Sequence, residues 1–357
     1  MILSIFSTIS SAWSSVWPYL VAILFFGFII LIHEFGHFIF AKLFKVKVNE
    51  FSLGMGPLIF KKKGKETQYS IRLLPIGGYI SMEGEDEESQ DESAFCNKAV
   101  WKRMIIVAAG ATFNLILGLI ICIGIVNSDD LVGTNTVISF NDSVEVSDDT
   151  LMPMDEILEI DGLKVYSDYD ISFLLQRNTT YIYDIVVLRE DEEVILQDVE
   201  MDFTNGFGFT ILGVEKTIPT VVTGAAKYAV SMCRMIYINL YDLVTGVYGM
   251  DDMAGPIGTV TVIADVAESS ERSADWGQMF TIMALITINI GIFNLLPIPA
   301  LDGGRLFFMF IELIRRKPIP AKYESWVHGA GLLLIFGLML VISAGDIWKL
   351  ISGQGFY

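Results

Sequence analysis

LIHEFGHFIF, residues 31–40, places two histidines four apart, with a glutamate beside the first, inside one of the most apolar stretches of the chain. A charge at the centre of a bilayer costs about 2.5–3.5 kcal/mol even on insertion scales. Three ionisable groups in one helical turn therefore need a compensating interaction, and a metal ion supplies one. His33, Glu34 and His37 read as H-E-x-x-H on a helix. At about 3.6 residues per turn both imidazoles share a face, and Glu34 flanks it about 100° round. Neutral imidazole suits Zn²⁺, and a carboxylate beside such a site can take a proton from water whose pKa the metal lowers to about 7. The pattern also arises by chance in long chains, where its histidines are surface or satisfied core residues; the apolar setting favours the metal.

The segment around this motif, roughly Trp17 to Ala41, is one of four apolar runs; the others are Met104 to Val126, Met279 to Leu296 and His328 to Ile347. Each is long enough for a hydrocarbon core of about 30 Å. With 53% hydrophobic and 18% charged residues over 357 positions, the chain departs from soluble domains towards membrane proteins. Residues 1–16 contain no Lys or Arg, so the basic start of a cleaved signal peptide is missing and the first apolar segment is expected to be retained.

Lys and Arg set the expected orientation. Lys42, Lys45, Lys47, Lys61, Lys62, Lys63, Lys65 and Arg72, then Lys98, Lys102 and Arg103, follow segment one, and Arg305, Arg315, Arg316, Lys317 and Lys322 lie between segments three and four. Both loops are expected on the cytoplasmic side, with the N-terminus, the region between segments two and three, and the tail opposite. The net charge of -18 comes largely from EGEDEESQDE (83–92) and from Asp129 to Glu215. These read as solvated faces, and the acidity argues against nucleic acid as a partner. Cys96, Cys122 and Cys233 imply neither a disulfide framework nor a cysteine zinc cluster.

Residues 51–82 alternate and are punctuated by Gly and Pro, which predicts hairpin strands that enter the membrane where their backbone is paired or lines a wet cavity. From about 128 to 215 the runs TVISF, DEILEIDG, YDIVVLRE and EVILQDVEM predict strands, with one helix near Tyr169 to Arg177. MPMDEILEIDGLKVYSDYDISFLLQ (152–176) resembles the PDZ pattern of strand, Asp-Gly turn, strand and groove-flanking helix; a generic β-rich spacer is the alternative. Val222 to Tyr248 reads as an interfacial amphipathic helix, and GPIGT (255–259) as a turn before segment three.

A catalytic zinc takes a third protein ligand. NLLPIPALDGG (294–304) offers Asp302: Pro297 and Pro299 stop segment three at membrane depth, and Gly303 with Gly304 is expected to let the backbone turn beyond. A capping role for Asp302 on the following helix is the alternative, and the two are not exclusive.

With HEFGH (33–37), LLPIGGYISMEGE (73–85), AAGATFNLILG (108–118), AGPIGT (254–259) and NLLPIPALDGG (294–304) in view, the chain resembles the site-2 protease family of intramembrane zinc metalloproteases, in its RseP-like bacterial branch with one PDZ domain. The resemblance implies one Zn²⁺ per chain held by His33, His37 and Asp302, Glu34 as the residue that activates water, and Asn114 and Asn294 as substrate contacts near the metal. A helix-to-helix hydrogen bond is the alternative for each asparagine. Gly77 and Gly78 fall in the family's membrane-entering hairpin, which is expected to take the substrate as an added strand. Ala111 stands after Gly110 where the family often has proline.

The implied fold is an α-helical polytopic membrane protein of about four transmembrane helices, with a membrane-associated β-hairpin and an inserted β-rich PDZ-like domain. Its expected order is a first transmembrane helix with H-E-x-x-H (1–45), a cytoplasmic-side hairpin and acidic loop (46–100), a second transmembrane helix (101–127) and a PDZ-like extracytoplasmic domain (128–216). An amphipathic interfacial helix and linker (217–275), a third transmembrane helix with N-x-x-P-x-P-x-L-D-G (276–316), and a fourth with the tail (317–357) follow. The expected function is intramembrane cleavage of single-pass membrane proteins, such as anti-sigma factors or signal-peptide remnants, in the bacterial cytoplasmic membrane. The expected partners are those substrates, the lipid bilayer and a peptide or protein ligand of the PDZ-like domain. Zinc transport or metal sensing is the alternative, as is a silent scaffold; Glu34 discriminates, because a transporter needs no carboxylate beside the ligands.

Overall fold

A computed structural model of the chain describes residues 2–85, 87, 89–140, 147–178, 180–201, 208–247, 249 and 255–352. Ala254, the first residue of the AGPIGT motif, lies outside the described residues. The chain divides into two compact units, residues 1–118 with 242–357, and residues 119–241.

Among the described residues, four helices are long and apolar enough to cross a membrane, over Val16–Leu43, Val100–Ser128, Gly277–Leu295 and Lys322–Ser352; they lie in the first unit, the second running on into the other. They belong to α1 (Ile2–Leu43), α2 (Val100–Ser128), α6 (Gly277–Leu295) and α8 (Ala321–Ser352). Between α1 and α2 come β1 (Val48–Lys63) and β2 (Gln68–Met82), paired antiparallel. This sheet doubles back: Glu50, Phe51, Ser52 and Leu53 lie opposite residues 78–81 on one side and 68–71 on the other. The ladder of 58–63 with 68–72 forms one border and 78–82 the other. The sheet is pinned to α1 by aromatic contacts, Phe38 lying 4.9 Å from Phe51 and 6.2 Å from Tyr69 between centroids. Val46, Val48, Met82, Phe95, Ile106 and Met309 complete one core.

Residues 255–259 do not form the expected turn. Gly255 is the N-cap and Pro256 the first residue of α5 (Pro256–Ser273), because proline's missing N–H and fixed φ suit a first helical position as well as a turn. The buried carboxylate of Asp346, from α8, accepts the Gly255 N–H at 3.1 Å and the Gly258 N–H at 2.9 Å. A charged side chain in the fourth apolar run is thus satisfied by a helix N-terminus. The inner face of α5 packs Ile263, Val266 and Ala267 against Ala22, Phe25 and Ile29 of α1.

α6 ends at Leu295 and a separate helix, α7 (Asp302–Arg315), begins six residues after Leu296. The positive φ in the link belongs to Ala300, at 76°, not to the glycines expected to make the turn. Gly303 and Gly304 lie in the first turn of α7 and serve close packing: a Cβ on Gly303 would overlap the Leu296 carbonyl, and one on Gly304 would come within 2.6 Å of Ile298 O.

The second unit is β-rich. Its sheet has the order β7-β6-β4-β3-β8, with β5 beside β4, formed by β3 (Val132–Phe140), β4 (Glu156–Ile160), β5 (Leu163–Lys164), β6 (Ile182–Arg189), β7 (Glu192–Glu200) and β8 (Phe209–Val214). Its core comprises Val137, Ile157, Ile160, Ile171, Leu175, Tyr183, Ile185 and Val187, with α3 (Asp168–Arg177) over it. α3 starts with a capping box between Ser167 and Asp170. Asp170 also accepts from Ser231 Oγ at 2.7 Å and Arg234 Nη1 at 3.2 Å, both on α4 (Ile218–Thr245).

Candidate functional site

The helix α1 carries His33 and His37 one turn apart on its buried face, and the first residue of α7 is Asp302. The Asp302 Oδ2 atom lies 3.0 Å from His33 Nε2 and 3.2 Å from His37 Nε2, and the two imidazole nitrogens are 3.2 Å apart. His37 Nδ1 donates to the Ile106 carbonyl of α2 at 2.8 Å, which leaves Nε2 with its lone pair directed at the other two atoms. Three lone-pair-bearing atoms facing one another in a buried place call for a cation. Tetrahedral ligands about 2.1 Å from zinc sit about 3.4 Å from one another, so the separations and the N, N, O donor set fit Zn²⁺. Among the described residues, this is the one His/Cys/Asp/Glu cluster of that compactness.

Glu34 lies beside the cluster and accepts the Ile80 N–H of β2 at 3.1 Å. That bond shows which way β2 faces: the amide of Ile80 is turned outward to α1, away from its β1 neighbour Phe51. Gly77 and Gly78, just before it, are buried. Gly77 has φ of 85°, and a Cβ on Gly78 would come within 2.7 Å of Ser52 O and 3.7 Å of the Glu34 Cγ. The structure therefore brings Gly78 against Glu34, at the border of the sheet.

Asn114 is fully buried on α2, one turn beyond Gly110, and neither its Oδ1 nor its Nδ2 has a hydrogen-bond partner among the described residues. Asn294 is half-buried near the end of α6 and donates to the Ile290 carbonyl of its own helix at 2.9 Å. Among the described residues, neither makes a helix-to-helix hydrogen bond. An unpartnered amide in such a place carries a desolvation penalty of about 1–3 kcal/mol that a ligand would relieve.

Three contributors escaped the sequence reading. Gly36, in the variable part of H-E-x-x-H, and Gly110 mark where α1 crosses α2: a Cβ on Gly36 would come within 2.5 Å of Ala109 O, and one on Gly110 would overlap His37 Nε2. Small residues that allow such close helix approach are a membrane-interface signal, and the glycine of AAGATFNLILG was its trace. His328, at the start of α8, accepts the Ala300 N–H at 3.0 Å and so holds the link before Asp302. Only its place at the head of an apolar run hinted at it.

The model of peptidase family M50 matches residues 21–338. The chain is 33% identical over 345 residues to a zinc metalloprotease of Fusobacterium nucleatum, covering 94% of this chain and 99% of that one. It is 35% identical over 336 residues to a zinc metalloprotease of Clostridium perfringens, covering 91% and 97%. It is 29% identical over 422 residues to the regulator of sigma-W protease RasP of Bacillus subtilis, covering 92% and 97%.

Proposed function

Because the chain belongs to peptidase family M50, the site-2 protease family, and is a multi-pass membrane zinc metalloprotease, we propose that His33, His37 and Asp302 hold its Zn²⁺ and that Glu34 is its general base and acid. The observation that carries this reading is the convergence of three buried lone pairs within 3.2 Å, with a carboxylate one residue from the first. Bound there, Zn²⁺ supplies Lewis-acid polarisation of the scissile carbonyl and acidifies water to a pKa of about 7. Glu34, oriented by the Ile80 N–H, takes the proton from the attacking water and returns it to the leaving amine. The Asn114 amide, buried and without a partner, donates to the oxyanion or to the substrate backbone. Asn294 holds the substrate from α6.

The substrate is the transmembrane segment of a single-pass protein. Its carbonyls are shielded in a helix, so it must unwind, and the hairpin segment at Gly77 and Gly78, beside Glu34, takes it as an added strand once α1 gives way there. Anti-sigma factors and signal-peptide remnants fit this class. The Lys and Arg of 42–103 and 305–322 put H-E-x-x-H towards the cytoplasm and the β-rich unit outside, where as a PDZ-like module it filters substrates or binds a peptide. Zinc transport has no use for Glu34 and is set aside with the family assignment. The test is cleavage of a model single-pass substrate in liposomes by wild type, by Glu34→Gln, and by wild type with a zinc chelator. Cleavage within the apolar segment by untreated wild type alone supports the reading; cleavage by Glu34→Gln at the wild-type rate overturns it.

A further inference from the structure

Asp302 and Glu34 reach the metal centre from different elements, and something must hold those elements in register. Asp302 is the first residue of α7, whose connection to α6 is a short link with a positive φ at Ala300. Glu34 leans on β2 through the Ile80 N–H. Two residues later, Met82 ends that strand, and its N–H is directed to Glu85 Oε2 at 3.4 Å. The other carboxylate oxygen of Glu85, Oε1, accepts from Arg305 Nη1, on the first turn of α7. The side chains of Glu85 and Arg305 are 16% and 32% exposed, so water screens the pair only in part.

We infer that Arg305 and Glu85 form a latch that positions Asp302 against the Glu34 side of the site, resting on the reading of Asp302 as a metal ligand. One turn of helix separates Asp302 from Arg305, and three residues separate Met82 from Glu85, so the latch joins the ligand's helix to the strand that orients the base. The same face of α7 continues with buried Met309 and with Glu312, which pairs with Arg103 of α2 at 2.6 Å. Spacings of four and three residues put Arg305, Met309 and Glu312 in one stripe. α7 is thus fastened at both ends of one face, and the Glu85 end is the one beside the metal. Arg305 and Glu85 are positioning residues and touch neither metal nor substrate.

The test uses full-length protein in detergent, with Glu85→Gln, Arg305→Gln, the double Gln variant and the reversed pair Glu85→Arg/Arg305→Glu. Zinc affinity is read by competition with a chelator, and kcat and KM by cleavage of a single-pass substrate. Losing a partner outside the ligand shell commonly lowers metal affinity or activity on the order of 10- to 100-fold. We expect that loss in zinc affinity and kcat for each single variant, with KM changed less than about threefold. The double Gln variant should be no worse than the worse single variant, since each single change already removes the shared Glu85–Arg305 bond, and the reversed pair should recover part of the loss. Single variants with wild-type zinc affinity and kcat, or a double variant whose losses multiply, would overturn the latch. Asp302→Asn is the control: retained wild-type zinc affinity there would show that the ligand reading itself had failed, whereas its loss together with unaffected latch variants would remove the latch alone.

Discussion

Gly110 lies so close to His37 that a Cβ on residue 110 would occupy the place of the imidazole Nε2, and would also come within 2.9 Å of His33 Cε1. The backbone of α2 is therefore one wall of the proposed metal centre, and hydrogen is the only side chain the wall tolerates. Gly110→Ala is expected to displace both imidazoles and lower zinc occupancy at least tenfold, an outer-wall effect of the size seen for ligand-orienting groups. Metal analysis of the purified variant after dialysis checks this. Gly124→Ala, at a position open on the same helix, serves as the control and should keep its zinc.

Asp346 accounts for a different part of the fold. Its carboxylate satisfies two N-terminal amides of α5 while itself 1% exposed. Asp346→Ala removes both acceptors and should destabilise the protein by about 2 kcal/mol, the upper end for a helix cap. Thermal unfolding in detergent should show the drop, and hydrogen exchange should place it in the first turn of α5.

Within the β-rich unit, Asp170 closes the capping box of α3 and receives Ser231 and Arg234 from α4. Asp170→Ala breaks all of these at a 4% exposed position, with an expected loss of about 3 kcal/mol. Arg234→Ala should cost less, because Arg234 is a quarter exposed and Asp170 keeps its bonds to Ser231 and the backbone. Denaturant unfolding of the two variants side by side gives the order.

Glu50 of the β1–β2 sheet titrates below the usual carboxylate range: burial opposes its ionisation, but hydrogen bonds from Ser70, Tyr79 and Arg72 and the Arg72 charge outweigh it. A depressed folded pKa contributes stability that is fully present above the unfolded value of about 4.3 and is lost as pH falls through the folded value. Exchange protection of residues 68–72 should therefore fall below about pH 4 in wild type. In Glu50→Gln it should be lower at neutral pH and flat across that window.

The sequence carried the parts of this structure that depend on local pattern. The four long apolar helices follow from uninterrupted hydrophobic runs, and the strands of the β-rich unit from alternation that covers Ile157, Ile185 and Val187 on the core side. α5 was misread because Gly-Pro serves turns and helix starts alike, and its deciding partner, Asp346, lies 88 residues beyond Gly258. The doubled-back sheet was also out of reach, since its second ladder pairs Glu50 with Gln68 and not with a neighbour fixed by the turn. At the proposed metal centre, helical spacing makes His33, His37 and Glu34 visible. Asp302 needed the proline and glycine pattern around it, and the close approach of Gly36 to Ala109 became visible only with two helices in place.

We propose that His33, His37 and Asp302 bind one zinc ion. X-ray absorption at the zinc edge of the purified protein decides whether they do. The expected result is about one zinc per chain with only nitrogen and oxygen neighbours at about 2.0–2.2 Å, and loss of that signal in His33→Ala and in Asp302→Ala. A sulfur neighbour at about 2.3 Å, or an unchanged spectrum and full zinc content in either variant, would contradict it.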